Sequence, residues 1–265
     1  MEKILKIKEL MSKMENLYPL KNSLSWDNSG LIIGDYEHEV HKCLIVMDVE
    51  IDTVDYAIEK KYDLIISHHP LIYKGIKKII KGDFNFSILK KILDNNINIL
   101  CYHTPFDCSE YGMNNSIFSS LGTEVDCLFE EESLKFGTII EVGKDIKGID
   151  LINICKNHFP SDRLNEIMYY GDLSKSIHKI AFIGGSGGDY IPHAIKKESD
   201  IIITGDLKYH QIQDALRSDL SVLDLGHYLS EIQFYEIMKK RLDEFKIDNN
   251  IFEKSIVKRV SLFEI

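Results

Sequence analysis

The sequence predicts an α/β protein built as two linked α/β domains with mainly parallel sheets. Two observations carry the prediction: short apolar runs alternate with amphipathic segments of helical period, and the alternation occurs on both sides of a glycine-punctuated transition. A third sets the scale, because 265 residues with 44% hydrophobic and 28% charged side chains describe an ordinary globular chain, long enough for one large domain or two small ones.

In chain order, residues 3–17 have apolar positions at helical spacing, and SLSWDNSGLIIGD after them reads as an irregular segment. HKCLIVMDVE is a short apolar strand, and IDTVDYAIEKK a helix that Asp52 or Thr53 can cap. YDLIISHH is the next strand, ended by Pro70. FSILKKILDNN then reads as a helix and INILCYHTPFD as a strand. Apolar strands separated by amphipathic helices call for a parallel sheet covered on both faces. SLGTEVDCLFEEESLKFGTIIEVGKD has only short strand-like runs and glycine turns, so the boundary falls near residues 126–135, between an N-terminal domain of 1–130 and a C-terminal domain of 131–265. Beyond it come a helix around DLINICKNHF, then KIAFIGG, HAIKKES, DIIITGD, HQIQDALRSD, LSVLDLGH and one long helix, LSEIQFYEIMKKRLDEF. No sequence repeat is strong enough to prove a duplication.

A net charge of −10 gives no general attraction to nucleic acid or anionic lipid, although local contacts inside an assembled cavity stay open. Lys74, Lys77, Lys78 and Lys81 cluster after the His68–His69 pair, either as a solvated helix face or to steer an anionic ligand. The five cysteines, Cys43, Cys101, Cys108, Cys127 and Cys155, include no CxxC pair and read as reduced thiols. The first residues interleave charges with apolar side chains, unlike a signal peptide, and no apolar run is long enough to span a membrane. A cytoplasmic location is expected.

The informative polar residues follow apolar runs: His68 and His69 after DLIIS, Asp107 past INILCYHT, Asp206 after DIIITG and His227 after SVLDLG. In open α/β sheets ligands bind at the carboxyl ends of strands, where loops diverge. Adjacent histidines at the end of a buried strand must be hydrogen-bonded or ligated, and in extended backbone they point to opposite sides, which suits two neighbouring ions. In GHYLSE, His227 and Glu231 share a helix face if the helix begins at or before His227. Such a pair alone is often an ordinary helix contact. With the His-His pair and Asp107 it forms an imidazole and carboxylate set suited to zinc, iron or manganese and ill suited to magnesium alone. Glu231 has the longer stem needed to bridge two cations about 3.5–4 Å apart. His103 is either a ligand or, preferably, a group holding a carboxylate or substrate beside the ions. Three histidines and two carboxylates leave two ions coordinatively open, as a reactive site requires. The expectation is two divalent metal ions per subunit in a dinuclear site between the domains.

ISHHPLIYKG, CYHTPFD, TGDLKYH and DLGHYLSE, in this order and with SWDNSGL near the start, resemble the blocks of the GTP cyclohydrolase 1 type 2 homologue family, the Nif-three-like family, over essentially the whole chain. The resemblance implies a two-domain α/β protein assembled as a toroidal homohexamer, with dinuclear sites opening to an internal cavity. It implies that His68 and His69 serve one ion each, Asp107 the ion of His69, His227 that of His68, and that Glu231 bridges. His103 and His210 match residues near the metals and are the candidate catalytic residues. Asp206 stands where many members have glutamate, leaving its role open, and the long inserted domain of larger members is lacking.

Weaker signals complete the reading. GGSGGD at 184–189 is neither a dinucleotide fingerprint nor a Walker loop, and reads as a turn permitting close packing or as a cavity wall. Tyr209 and His210 begin a helix, near a pocket or simply solvated; Trp26 and Asp27 contribute to a pocket rim, or Trp26 simply packs. No GxSxG is present and no Cys–His nucleophile pair is apparent. Two functional classes follow. One is a metal-dependent hydrolase of a nucleotide or related compound, with His103 or His210 relaying a proton; the resemblance suggests GTP, and phosphoester hydrolysis uses the same centre equally well. The other is a noncatalytic metal-handling or regulatory protein acting through a multimer.

Overall fold

The computed structural model describes residues 4–113, 117–131, 133–255 and 257. Lys3, at the start of the first expected helix, and Glu132, in the transition, lie outside the described residues. In chain order the elements are α1 (Ile7–Met14), β1 (Gly30–Ile33), β2 (Lys42–Val46), α2 (Ile51–Lys60), β3 (Leu64–Ser67), α3 (Phe84–Asp94), β4 (Asn98–Cys101) and α4 (Thr104–Asp107). Then follow β5 (Gly122–Asp126), β6 (Phe129–Glu131), β7 (Leu134–Phe136), β8 (Thr138–Lys147), α5 (Gly148–His158), β9 (Met168–Tyr170), β10 (Ser176–Ser186) and α6 (Ile191–Lys196). The last are β11 (Ile201–Gly205), α7 (Tyr209–Arg217), β12 (Ser221–Asp224), α8 (His227–Glu231), α9 (Gln233–Glu244) and β13 (Asp248–Ile251). Among the described residues no helix is long and apolar enough to cross a membrane.

Contacts divide the chain into two compact units, one grouping the residues through Phe106 with Phe234–Ser255, the other holding Asp107–Gln233. The first unit has a five-stranded sheet in the order β1-β4-β3-β2-β13. Only β1 runs antiparallel to its neighbour. β3 and β4 are buried along their whole length, as strands covered on both faces must be. Leu44, Val46, Ile65 and Ile99 of the sheet pack with Val54 and Ala57 of α2 and Ile88 and Ile92 of α3. Glu50, not Asp52 or Thr53, is the N-cap of α2; the Thr53 hydroxyl instead donates to the Asp48 carbonyl at 3.5 Å. The stretch with Lys74, Lys77, Lys78 and Lys81 is irregular and not the helix face considered from sequence; Gly82 in it has φ +102°. β13, a polar DNNI run, extends the sheet by pairing Asp248 with Lys42 and Asn249 with Cys43.

The second unit has a six-stranded sheet in the order β5-β8-β10-β11-β12-β9. Its centre, β10-β11-β12, is parallel, but β5-β8, β8-β10 and β12-β9 are antiparallel. The sheet is therefore mixed, which corrects the expectation of a mainly parallel one. The extra strands come from the transition segment, and β5 has mostly exposed positions, a pattern that antiparallel strands tolerate. The single long helix expected at the end is two, α8 and α9, parted at Ile232. The Ser230 hydroxyl donates to the His227 carbonyl at 2.7 Å and competes there with the main-chain ladder.

The two units repeat one topology. The order β1-β4-β3-β2 corresponds to β9-β12-β11-β10, with helices between the parallel strands in both. Local details repeat as well. Asp63 accepts from the amides of His41 and Lys42, and Asp200 from those of His178 and Lys179. The Lys42 ammonium donates to the Lys60 carbonyl, and the Lys179 ammonium to the Lys197 carbonyl, each at 3.3 Å. Left-handed residues precede equivalent strands: Lys61 (φ 58°) and Glu198 (φ 55°), then Asn96 (φ 52°) and Asp219 (φ 57°).

Candidate metal centre

In the first unit the amides of His68 and His69 donate to the Val46 and Met47 carbonyls at 3.2 and 3.0 Å, continuing the β2–β3 pairing to the strand end. There the two rings do not diverge to opposite faces. Their centroids lie 5.0 Å apart, and with His103 they form a group whose ligand nitrogens lie within 4.8 Å of one another. His68 is fully buried, and its Nδ1 lies 3.1 Å from the Tyr102 carbonyl, to which it donates. His69 Nδ1 donates to Asp48 Oδ1 at 2.8 Å, and His103 Nδ1 to Asp27 Oδ1 at 2.9 Å. A proton on each Nδ1 places the lone pair of the neutral ring on Nε2, the tautomer a metal ligand needs.

Asp27 is a buried anchor. It accepts from the Asn28 amide at 2.7 Å, the Ser29 hydroxyl at 2.7 Å and the Thr104 hydroxyl at 2.6 Å, besides His103. Burial pushes its carboxyl up, but the hydrogen bond and charge of His103 and the hydroxyls of Thr104 and Ser29 together outweigh that, holding Asp27 well below the ordinary carboxylate range. Trp26 beside it stays half exposed.

In the second unit His227 opens α8, so the spacing of four brings its Nε2 to 3.3 Å from Glu231 Oε2. His227 Nδ1 donates to Asp206 Oδ2 at 2.6 Å. Glu231 is buried against the glycine-rich loop. A Cβ on Gly185 would stand 2.4 Å from Glu231 Oε1, and Gly185 has φ +67°, so glycine is needed for both space and backbone. The Gly185 amide donates to the Ser230 hydroxyl at 2.9 Å, stitching the loop to α8. At the neighbouring strand end, a Cβ on Gly205 would meet the Gly226 carbonyl carbon at 2.5 Å.

The structure thus brings together His68, His69 and His103 in the first unit, and His227 with Glu231 in the second. Asp107 is half-buried at the end of α4. Burial, followed by the charges of Glu131, Asp189 and Asp107, pushes the Tyr190 phenol up. His210 is exposed in the first turn of α7, its ring edge-on to Tyr209. Sequence reasoning missed Asp48, although it follows the apolar run CLIVM just as Asp206 follows DIIITG. Asp48 and His69 are 21 residues apart, and so are Asp206 and His227. Imidazoles backed by carboxylates or a carbonyl, with Glu231 alongside His227, fit a borderline divalent ion. Burial pushes the Cys155 thiol up to about 12 and that of Cys43 higher still, and the Cys101 thiol donates to the His68 carbonyl at 3.1 Å.

The Duf34/NIF3 (NGG1p interacting factor 3) family model matches residues 5–259. The GTP cyclohydrolase 1 type 2 homolog of Clostridium acetobutylicum is 33% identical over 241 residues, covering 90% of each chain. That of Clostridium perfringens is 30% identical over 247 residues, covering 90% of this chain and 93% of its own. Among solved structures, the Staphylococcus aureus hypothetical protein SA1388 superposes with a TM-score of 0.84 at 25% identity, over 97% of this chain and all of that one. A Bacillus cereus protein related to NIF3 shares the fold, with a TM-score of 0.82 at 20% identity over 98% of this chain and 100% of that one.

Proposed function

The chain belongs to the Duf34/NIF3 family, and from that premise we propose that it holds two divalent transition-metal ions, zinc, iron or manganese, through His68, His69, Asp107, His227 and Glu231. The observation that carries the proposal is the shared orientation of His68, His69 and His227: every Nδ1 is bound to a carbonyl or carboxylate, so every Nε2 is the donor.

We assign hydrolysis of a nucleotide or related compound to this centre, and the name shared by the relatives makes GTP the first substrate to test. Bound divalent ions supply Lewis-acid polarisation and lower the pKa of water. The chain's own residues do the rest. Asp27 fixes His103 so that Nε2 takes or returns a proton, and His210 is the second proton carrier. Gly185 gives Glu231 room to lie beside His227, where its carboxylate would help to hold the ions. A cytoplasmic homo-oligomer, a toroidal homohexamer by family resemblance, completes the reading; a nucleotide-like small molecule is its partner, a membrane is not, and the charge of −10 disfavours nucleic acid.

One observation favours the second reading, noncatalytic metal handling or regulation: His210 is exposed, with the Tyr209 ring as its aromatic neighbour. The two readings separate in one experiment. Product release is followed from nucleotides, cyclic nucleotides, pterin precursors and phosphoesters, with metal content quantified, beside Glu231→Ala and Asp107→Ala. Turnover that tracks metal occupancy and vanishes in both variants supports the hydrolase. Inactivity of fully metallated, correctly assembled protein supports metal handling.

A further inference from the structure

An exposed aromatic pair beside the histidine group has no part in the metal reading. Trp26 and Tyr73 are each 49% exposed, with ring centroids 5.8 Å apart at an angle of 57°. Trp26 also stands 5.7 Å from the His103 ring in a T-shaped contact, and His103 in turn lies 5.2 Å from His68 and 5.7 Å from His69. A hydrogen-bonded frame sets this arrangement. Asn28 Nδ2 donates to the Ile72 carbonyl at 2.6 Å, tying the loop of Trp26 to the loop of Tyr73. The Asn28 amide and the Ser29 hydroxyl hold Asp27, which holds His103. Two large aromatic faces are thus fixed in water next to groups with metal-ligand chemistry, where hydrophobic burial would ordinarily hide them.

The charge beside them is of the opposite sign to that of the whole molecule. From Pro70 to Gly82 the chain carries Lys74, Lys77, Lys78 and Lys81, all exposed, and no acidic residue, in a protein of net charge −10. We propose that Trp26 and Tyr73 stack the planar heteroaromatic base of a nucleotide, and that the lysine segment after Tyr73 meets its phosphates. Every base has a π-face that such rings accept, and phosphate is the anion that a local lysine cluster attracts on an acidic protein. The inference rests on the nucleotide reading above and names the residues that select that substrate.

Trp26 is the chain's one tryptophan, so its fluorescence reports this platform alone. Full-length protein of measured metal content is titrated with GTP, GMP, ribose 5-phosphate and tripolyphosphate. GTP and GMP should quench Trp26 saturably, whereas ribose 5-phosphate should leave it unchanged. By calorimetry, Trp26→Ala and Tyr73→Ala should each weaken GTP binding about tenfold, with Trp26→Phe restoring part of it. The double variant Lys77→Ala with Lys78→Ala should weaken GTP more than guanosine, and the difference should shrink as salt rises. Metal content and Tm should match wild type in all four. Metal-replete protein that binds no nucleotide, or that binds GTP equally well without Trp26 and Tyr73, overturns the proposal and leaves the metal reading standing. Nucleotide bound by the platform in protein that takes up no metal overturns the metal reading instead.

Discussion

The two units share one topology and differ in what they set at the ends of equivalent strands. In the first, Asp48 follows β2 and backs His69 after β3; in the second, Asp206 follows β11 and backs His227 after β12. The pair has moved over by one strand. At the end of β10, the counterpart of β2, the second unit carries Gly184 and Gly185 in place of an acid, and there Glu231 comes close. The separation of 21 residues is the same because each pair spans one strand–helix–strand step between parallel neighbours. A repeated scaffold thus fixes the reach between a histidine and its carboxylate, and side-chain choice decides which strand boundary uses it.

The sharpest way to break this comparison is to remove one donor from each unit. His68→Ala and His227→Ala should each lose at least one ion per chain by elemental analysis, with metal affinity lowered more than about 100-fold. Full metal content in His227→Ala would remove His227 from the proposed ligands. Next come the supporting carboxylates: Asp48→Asn and Asp206→Asn should each weaken metal affinity by about 10- to 100-fold in competition with a chelator. Equal losses sharpen the parallel, and a loss in one alone ends it.

Gly185→Ala tests the departure from the repeat. Its left-handed backbone and the nearness of Glu231 Oε1 should cost about 1–2 kcal/mol of stability, read as a fall in Tm of the metal-free protein. Asp27 has a folded pKa below its unfolded one, so its contribution is fully present above the unfolded value of about 3.9 and is lost as pH falls through that value toward the folded one. Asp27→Asn should be the less stable protein at pH 7 by urea titration, with the gap narrowing toward pH 3. The smallest effect probes the matching turns of the two units. Lys61→Gly and Glu198→Gly, at matching left-handed positions, should each raise stability by up to about 1 kcal/mol.

Much of this was legible because parallel strands buried on both faces are apolar throughout: CLIV, LIIS, NILC and IIITG stand out against the helices between them. Of the strands that escaped, β13 and β5 lie at sheet margins. β13 is DNNI, polar because it is only half covered, and the transition segment hid the antiparallel strands that make the second sheet mixed. The carboxyl ends of strands led to His68, His69, Asp206 and His227 as residues to single out, and would have led to Asp48 had LIVMD been read the same way. Asp27 as a buried anchor was beyond reach, since its partners His103 and Thr104 lie on a remote strand end. The repeated topology was invisible in sequence because its shared details are left-handed turns and amide contacts that many side chains satisfy.

The pairing of β13 with β2 bears on how the protein is made. Asp248 lies beside Lys42, and Asp107–Gln233 of the second unit are encoded between them. A ribosome therefore delivers β2 with one edge open and supplies the strand that closes it only about 200 residues later. During that interval a buried-type strand is exposed to neighbouring nascent chains, a period when chaperone cover and slow translation matter most to the yield of folded protein.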